Sequence, residues 1–172
     1  FENFVKEVEK LKYKIDYEIV YSPDYGIPQS RSRLVLLGSR LGEIEIPKRT
    51  HTKKNYKTVG DVIRNLPKIS SGETDPKDKV HRAKGLSQLN LTRIKKSRPK
   101  GSWKDWDKSL LPNCYRKETG RTYTSVYGRM SWDDVSPTIT TQFYNYGSGR
   151  FGHPEQDRAL SIREGALLQT FP

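Results

Sequence analysis

The sequence predicts an α/β chain in two parts: the edge of a strand-bearing lobe, then a small, irregular lobe of mixed α+β character. Three observations predict it. A helical apolar stripe opens the chain and is followed by two strand-like runs; beyond residue 47 the patterns are short and broken by turn residues; and the basic excess is confined to that second stretch. Val, Ile, Leu and Phe number 38 of 172 residues, just above the ~20% at which a highly charged chain ceases to fold. One modest core can be built from them.

Phe1, Phe4, Val5, Val8 and Leu11 recur at helical spacing with Glu and Lys between them, which predicts an amphipathic helix that must bury its stripe. DYEIVYS (16–22) alternates, with Tyr17, Ile19 and Tyr21 on one face of a strand. SPDYGIPQ (22–29) is a turn-rich connection, RLVLLGS (33–39) reads as a buried strand, and IEIP (44–47) as a further short strand closed by Pro47. Thr58 with Asp61 three residues later caps a small helix running to Leu66. Residues 67–79 are turn and loop, and LSQLNLTRIKK (86–96) is a weakly patterned helix. SVYGRMSW (125–132) and PTITTQF (137–143) read as strands flanking a proline turn, and Ser161 with Glu164 forms a capping box ahead of GALLQTF. The first helix and the Leu-Val-Leu-Leu run call for a larger sheet than these strands make, and the last helix stops at Pro172. The chain is therefore expected to be a piece of a larger protein or half of a two-chain assembly.

The formal charge is +12. Residues 1–47 carry 7 basic and 8 acidic side chains, residues 109–172 carry 7 and 6, and residues 48–108 carry 18 and 6. The middle thus supplies the whole excess, the pattern expected of a surface for a phosphate backbone. A solvated lysine-rich loop would give the same count, but Leu86, Leu89, Leu91, Trp103 and Trp106 within it argue that part of it folds. Cys114 is the single cysteine, which excludes a disulfide scaffold and fits a reducing, cytoplasmic setting. It is expected to be a small, partly buried apolar residue. His51, His81 and His153 make no metal-ligand pattern with it, and no apolar run approaches the ~18 residues of a membrane span. Trp103 and Trp106 are expected to pack a loop, His153 to occupy a turn, and Asp133 and Asp134 to belong to a turn or cap.

The most informative stretch is YGIPQSRSRLVLLG (25–38). If extended, it presents Gln29, Arg31 and Arg33 to one side, two rigid forks of donors and an amide suited to phosphate or the carbonyl edge of a base. A solvated strand edge is the ordinary reading of an isolated Arg-x-Arg. This stretch, however, closely resembles the eighth sequence block of the DNA cytosine-5 methyltransferases, Tyr-Gly-Val-Pro-Gln-x-Arg-x-Arg followed by an apolar strand ending in Gly, with Ile27 in place of Val. GRMSWDDVSPTITT (128–141) is similar to the family's ninth block, and GRFGHPEQDRALSIREGALLQTFP (149–172) to the segment leading to the tenth. The three stand in the family's order.

The resemblance implies the edge strands of an S-adenosylmethionine-dependent methyltransferase fold over 1–47, a DNA target-recognition lobe over 48–148, and a return towards the catalytic lobe over 149–172. In that family a cysteine attacks C6 of an everted cytosine, and C5 takes a methyl group from S-adenosylmethionine. It implies that Arg33 contacts the O2 side of the base, with Arg31 and Gln29 ordering the pocket. Thr138, Ile139 and Thr140 would help position DNA, and Arg129, Arg150, Lys95, Lys96 and Arg98 are candidate DNA contacts. The family's cofactor loop, Pro-Cys nucleophile block and Glu-Asn-Val block do not occur in this sequence, so no cofactor-binding or metal-binding residue is assigned. The implied partners are duplex DNA of a prokaryotic nucleoid and the catalytic portion, in the same chain or in a partner subunit. By itself the chain is expected to be inactive. The competing expectation is a stand-alone, non-catalytic basic DNA-binding module; a basic RNA-associated protein would leave the three motif matches unexplained.

Overall fold

A computed structural model describes residues 1–122 and 124–172. The opening stripe forms helix α1 (Glu2–Lys10), followed by strand β1 (Lys14–Tyr21) and strand β2 (Ser32–Ser39). The strands pair antiparallel from Lys14 opposite Ser39 to Tyr21 opposite Ser32, as a two-stranded sheet. The turn between them is a 3₁₀ turn, Ser22–Tyr25, with Pro23 in its first positions. Gly26 ends it at φ +78°, a left-handed conformation that glycine adopts without the Cβ clash of other residues.

The apolar residues of this part are mostly uncovered. Only Val5 of the α1 stripe is buried; Phe1, Phe4 and Leu11 are exposed, as are Tyr17, Ile19 and Leu34 on the hairpin. The 33–39 run is thus a strand but not a buried one. The physical reason is that a two-stranded ribbon buries a face only where a second layer covers it, and α1 supplies little cover. Residues 44–47 form no strand. The Ile46 N–H donates to Asp16 Oδ2 at 2.6 Å, and Pro47 offers its carbonyl to the Tyr25 hydroxyl at 3.0 Å, so these groups bond to side chains instead of a ladder.

Helix α2 (Val59–Ile63) has the expected reciprocal cap between Thr58 and Asp61 but ends three residues before Leu66. Helices α3 (Gln88–Lys96), α4 (Asn113–Arg116) and α5 (Ile162–Leu167) follow, α5 opening on the Ser161–Glu164 capping box. Residues 125–132 and 137–143 form no strands. The first is reduced to the single bridge Arg129–Gly152, and the second has only the Gln29–Ser136 bridge just ahead of it, because neighbouring backbone groups are bonded to loops.

Two apolar clusters hold this part together. Val59, Ile63, Met130, Ile139, Phe151, Leu160 and Leu168 form one; Ile94, Trp103, Trp106, Tyr115, Val126, Tyr146 and Ala159 form the other. Successive residues Ala159 and Leu160, both fully buried, belong to different clusters and fasten them together. The 149–172 segment thereby shares its core with α2. Beneath it lies a buried ion pair: Arg158 donates from both terminal nitrogens to Glu164 at 2.7 Å, and both side chains are at most 1% exposed. His81 joins the same network. Its Nε2 lies 2.9 Å from the Pro67 carbonyl, which can only accept, so Nε2 carries the proton and Nδ1 accepts from Ser161 Oγ. Among the described residues no helix is long and apolar enough to cross a membrane.

Candidate nucleic-acid interface

The turn after β1 is joined to the irregular lobe by backbone pairing. Ser30 N donates to Ser136 O at 2.8 Å, Ser136 N to Pro28 O at 2.9 Å, and Thr138 Oγ1 to Ser30 O at 2.6 Å. Nearby, the 49–56 segment wraps the buried Asp24. The Thr50 and His51 N–H groups both donate to its carbonyl at 2.9 Å, and the Tyr56 hydroxyl donates to its carboxylate. That bond is the main cause of the upward shift of the Tyr56 pKa.

These connections enclose an open cleft of about 800 Å³. Its lining includes five basic side chains, Lys53, Lys54, Lys100, Arg129 and Arg150, two tyrosines, Tyr21 and Tyr56, and the small residues Ser131, Ser136 and Pro137. Asp133 and Asp134 are its only acids among the described residues. The two tyrosine rings meet edge to face at 6.0 Å, and the Tyr21 hydroxyl donates to Ser30 Oγ at 3.1 Å. Cations beside aromatic rings are the chemistry of phosphate and base contact.

The structure distributes the sequence-predicted residues unevenly about this cleft. Arg129 and Arg150 line it. Arg150 is exposed; Arg129 is buried and donates to Ile94 O at 2.8 Å and Asp157 at 2.7 Å. Thr138 donates to the carbonyl of Ser30, a lining residue, but does not itself line the cleft; Ile139 lies in the first apolar cluster, and Thr140 is exposed. Lys95 and Lys96 stand exposed on the last turn of α3, with Arg98 just beyond, 3.2 Å from Asp105; none of the three lines the cleft. Gln29 is 3% exposed, within the bridge to Ser136, and its Oε1 has no donor among the described residues. Arg31 is half-buried just ahead of β2, and its carbonyl accepts from Ser22 N at 2.8 Å. Arg33 is exposed in β2, opposite Val20. Ser30, between Gln29 and Arg31, is the member of that stretch that reaches the cleft wall.

Lys53, Lys54, Lys100, Tyr21 and Tyr56 were not singled out by sequence reasoning. The basic excess of residues 48–108 carried a signal for the three lysines; the tyrosines carried none. Trp103 and Trp106 are buried packing residues, as expected. His153 occupies a turn, its Nδ1 accepting the N–H groups of Glu155 and Gln156 at 3.1 and 2.9 Å. Cys114 is exposed and not partly buried. In α4 its neighbour Tyr115 takes the inward position, stacked on Trp103 with ring centroids 4.5 Å apart, and successive helical positions point ~100° apart.

The family model of the C-5 cytosine-specific DNA methylases matches residues 1–172. The chain belongs to that family. It is 54% identical over its full length to the type II methylase M.HgiDII of Herpetosiphon aurantiacus and covers 49% of that protein. It is 33% identical over 168 residues to the type II methyltransferase M1.HphI of Haemophilus parahaemolyticus, with 97% of this chain and 41% of that protein covered. Over 221 aligned residues it is 28% identical to DNA (cytosine-5)-methyltransferase 3 of Arabidopsis thaliana, with 98% of this chain and 16% of that protein covered. This methylase-family chain thus spans about half or less of the length of these relatives. Cytosine-5 methylases use S-adenosylmethionine, and the turn after β1 does not offer the open glycine loop that would cradle such a group. The turn after β1 has one glycine, Gly26, and the His51 ring fills the space beside it: a Cβ there would lie 2.8 Å from Cε1.

Proposed function

We propose that this chain is the target-recognition and base-pocket portion of a DNA cytosine-5 methyltransferase acting on duplex DNA in a bacterial nucleoid. In this reading residues 1–47 complete the catalytic lobe, 48–148 form the recognition lobe, and 149–172 lead back. The attacking cysteine and the methyl-donor pocket come from polypeptide outside these 172 residues, in the same chain or in a partner. The observation that carries the reading is the cleft with five basic side chains and two tyrosines, placed where the Gln29–Arg33 stretch meets the block around Ser136. Lys53, Lys54, Lys100 and Arg150 would hold phosphates, with Arg129 fixing the wall they stand on. Lys95, Lys96 and Arg98 would extend the basic track, and Thr138, Ile139 and Thr140 would help position DNA. Arg33 would meet the everted base, with Arg31 and Gln29 keeping its stretch extended.

The stand-alone binding module is disfavoured by the uncovered apolar residues Phe1, Phe4, Leu11, Ile19 and Leu34, since a self-sufficient soluble module rarely leaves so much apolar side chain in water. Fluorescence anisotropy of a labelled duplex, titrated with the full-length protein at several salt concentrations, tests the reading. The logarithm of the affinity should fall with log salt at about 0.9 per phosphate contact, for ~6–10 contacts. Salt-insensitive binding would overturn it.

A further inference from the structure

Lys100 differs from the other basic residues of the cleft in two respects. Its backbone stands at φ +65°, a region that side-chain-bearing residues seldom occupy and that functional sites tend to retain. The conformation is imposed from both sides. Lys100 N donates to Arg129 O at 3.0 Å, and Arg129 N donates to Gly101 O at 3.3 Å, so the Lys100–Gly101 pair is clamped to the cleft wall. Gly101 is closely crowded there: a Cβ would press on the Asp105 carboxylate and fall 2.9 Å from the Arg98 carbonyl oxygen, so a larger residue would force a shift. Secondly, Lys100 Nζ lies 2.9–3.0 Å from both carboxylate oxygens of Asp134, and the pair stands half-exposed at the cleft.

We propose that Lys100 is a DNA phosphate-contacting residue and that Asp134 is its built-in counter-ion, a carboxylate that occupies the phosphate's place until DNA displaces it. This deepens the duplex-DNA reading above and rests on it. The strained backbone delivers the ammonium to the cleft, and the carboxylate holds it there; Asp134, through its hydrogen bond first and its charge second, raises the Lys100 pKa. Asp133 assists with its charge, while Arg64 stands 3.9 Å from it on the other side. An internal anion of this kind lowers non-specific affinity, because every phosphate must compete with it. It also mutes salt dependence, since part of the positive charge that would release cations from DNA is already neutralised.

The test is duplex binding by the full-length protein, measured by anisotropy across a salt series, with D134N, K100G and the double variant. D134N should bind about two- to fivefold more tightly at moderate salt, the range of an exposed ion pair, with a log–log salt slope steeper by about 0.9. K100G removes the side chain while relieving the left-handed backbone, so it should weaken binding severalfold without lowering the melting temperature. In the K100G background, D134N should gain nothing from losing the lysine's competitor. Unchanged affinity and slope in D134N, with wild-type protein binding DNA normally, would overturn the counter-ion proposal alone. No salt-dependent duplex binding by the wild type would overturn the DNA reading beneath it.

Discussion

Glu164 concentrates more of this fold's electrostatics than any other carboxylate. It takes both terminal nitrogens of Arg158 and the Ser161 N–H at 2.7 Å, and those bonds lower its pKa against the opposing effect of burial. Replacing it with Ala leaves a guanidinium buried without its partner. The expected cost is about 3–5 kcal/mol, read as a lower midpoint in urea unfolding with an unchanged slope. Arg33 calls for a different readout, because it is exposed on β2 and supports no core. Arg33→Ala in the complete methyltransferase should reduce turnover far more than duplex affinity, and equal losses in both would remove it from the base pocket. The Arg-x-Arg pair is an expectation from its motif, and neither arginine lines the cleft. The proposed role of Lys100 left no sequence signal, because it rests on a backbone torsion and a partner 34 residues away.

At the scale of elements, what the sequence disclosed depended on whether the forces were local. The caps of α2 and α5 were legible because the residue that caps and the residue that answers it lie three apart. The strands expected at 125–132 and 137–143 were not, because strand formation needs partners along its whole length, and here loops take the neighbouring bonds. Burial of 33–39 was misread for a related reason, since an apolar run reports a tendency to be covered and not the cover itself. The caps and turns carry a prediction. Thr58→Ala should cost about 1 kcal/mol of stability. Gly26→Ala should cost about 1–2 kcal/mol from the left-handed backbone alone, with the approach to His51 adding to it. Because Gly26 closes the turn that carries Gln29, its substitution should also weaken DNA binding, whereas Thr58→Ala should weaken it less.

Across the whole molecule, two clusters and a buried ion network pack residues of the closing segment onto the irregular lobe, while the hairpin and α1 leave their apolar side chains open. The lobe should be acid-sensitive in a defined window. Burial holds the His153 pKa down to about 4, from 6.5, so between those values the unfolded chain binds a proton that the folded chain excludes. Stability should therefore fall as pH drops from about 6.5 to about 4, by on the order of 3 kcal/mol, and fall further below about 4.5 as the unfolded chain binds the proton that Glu164 refuses. A thermal unfolding series across that range checks it; a flat profile would place His153 in contact with water. The central claim concerns division of labour within a cytosine-5 methyltransferase. Its most direct measurement is transfer of labelled methyl groups from S-adenosylmethionine to cytosine C5 in duplex DNA, using this chain alone and combined with polypeptide bearing the cofactor loop, the Pro-Cys and Glu-Asn-Val blocks and the Asn-containing tenth block. The account predicts transfer only by the combination. Transfer by this chain alone, or none by a combination that binds DNA, would contradict it.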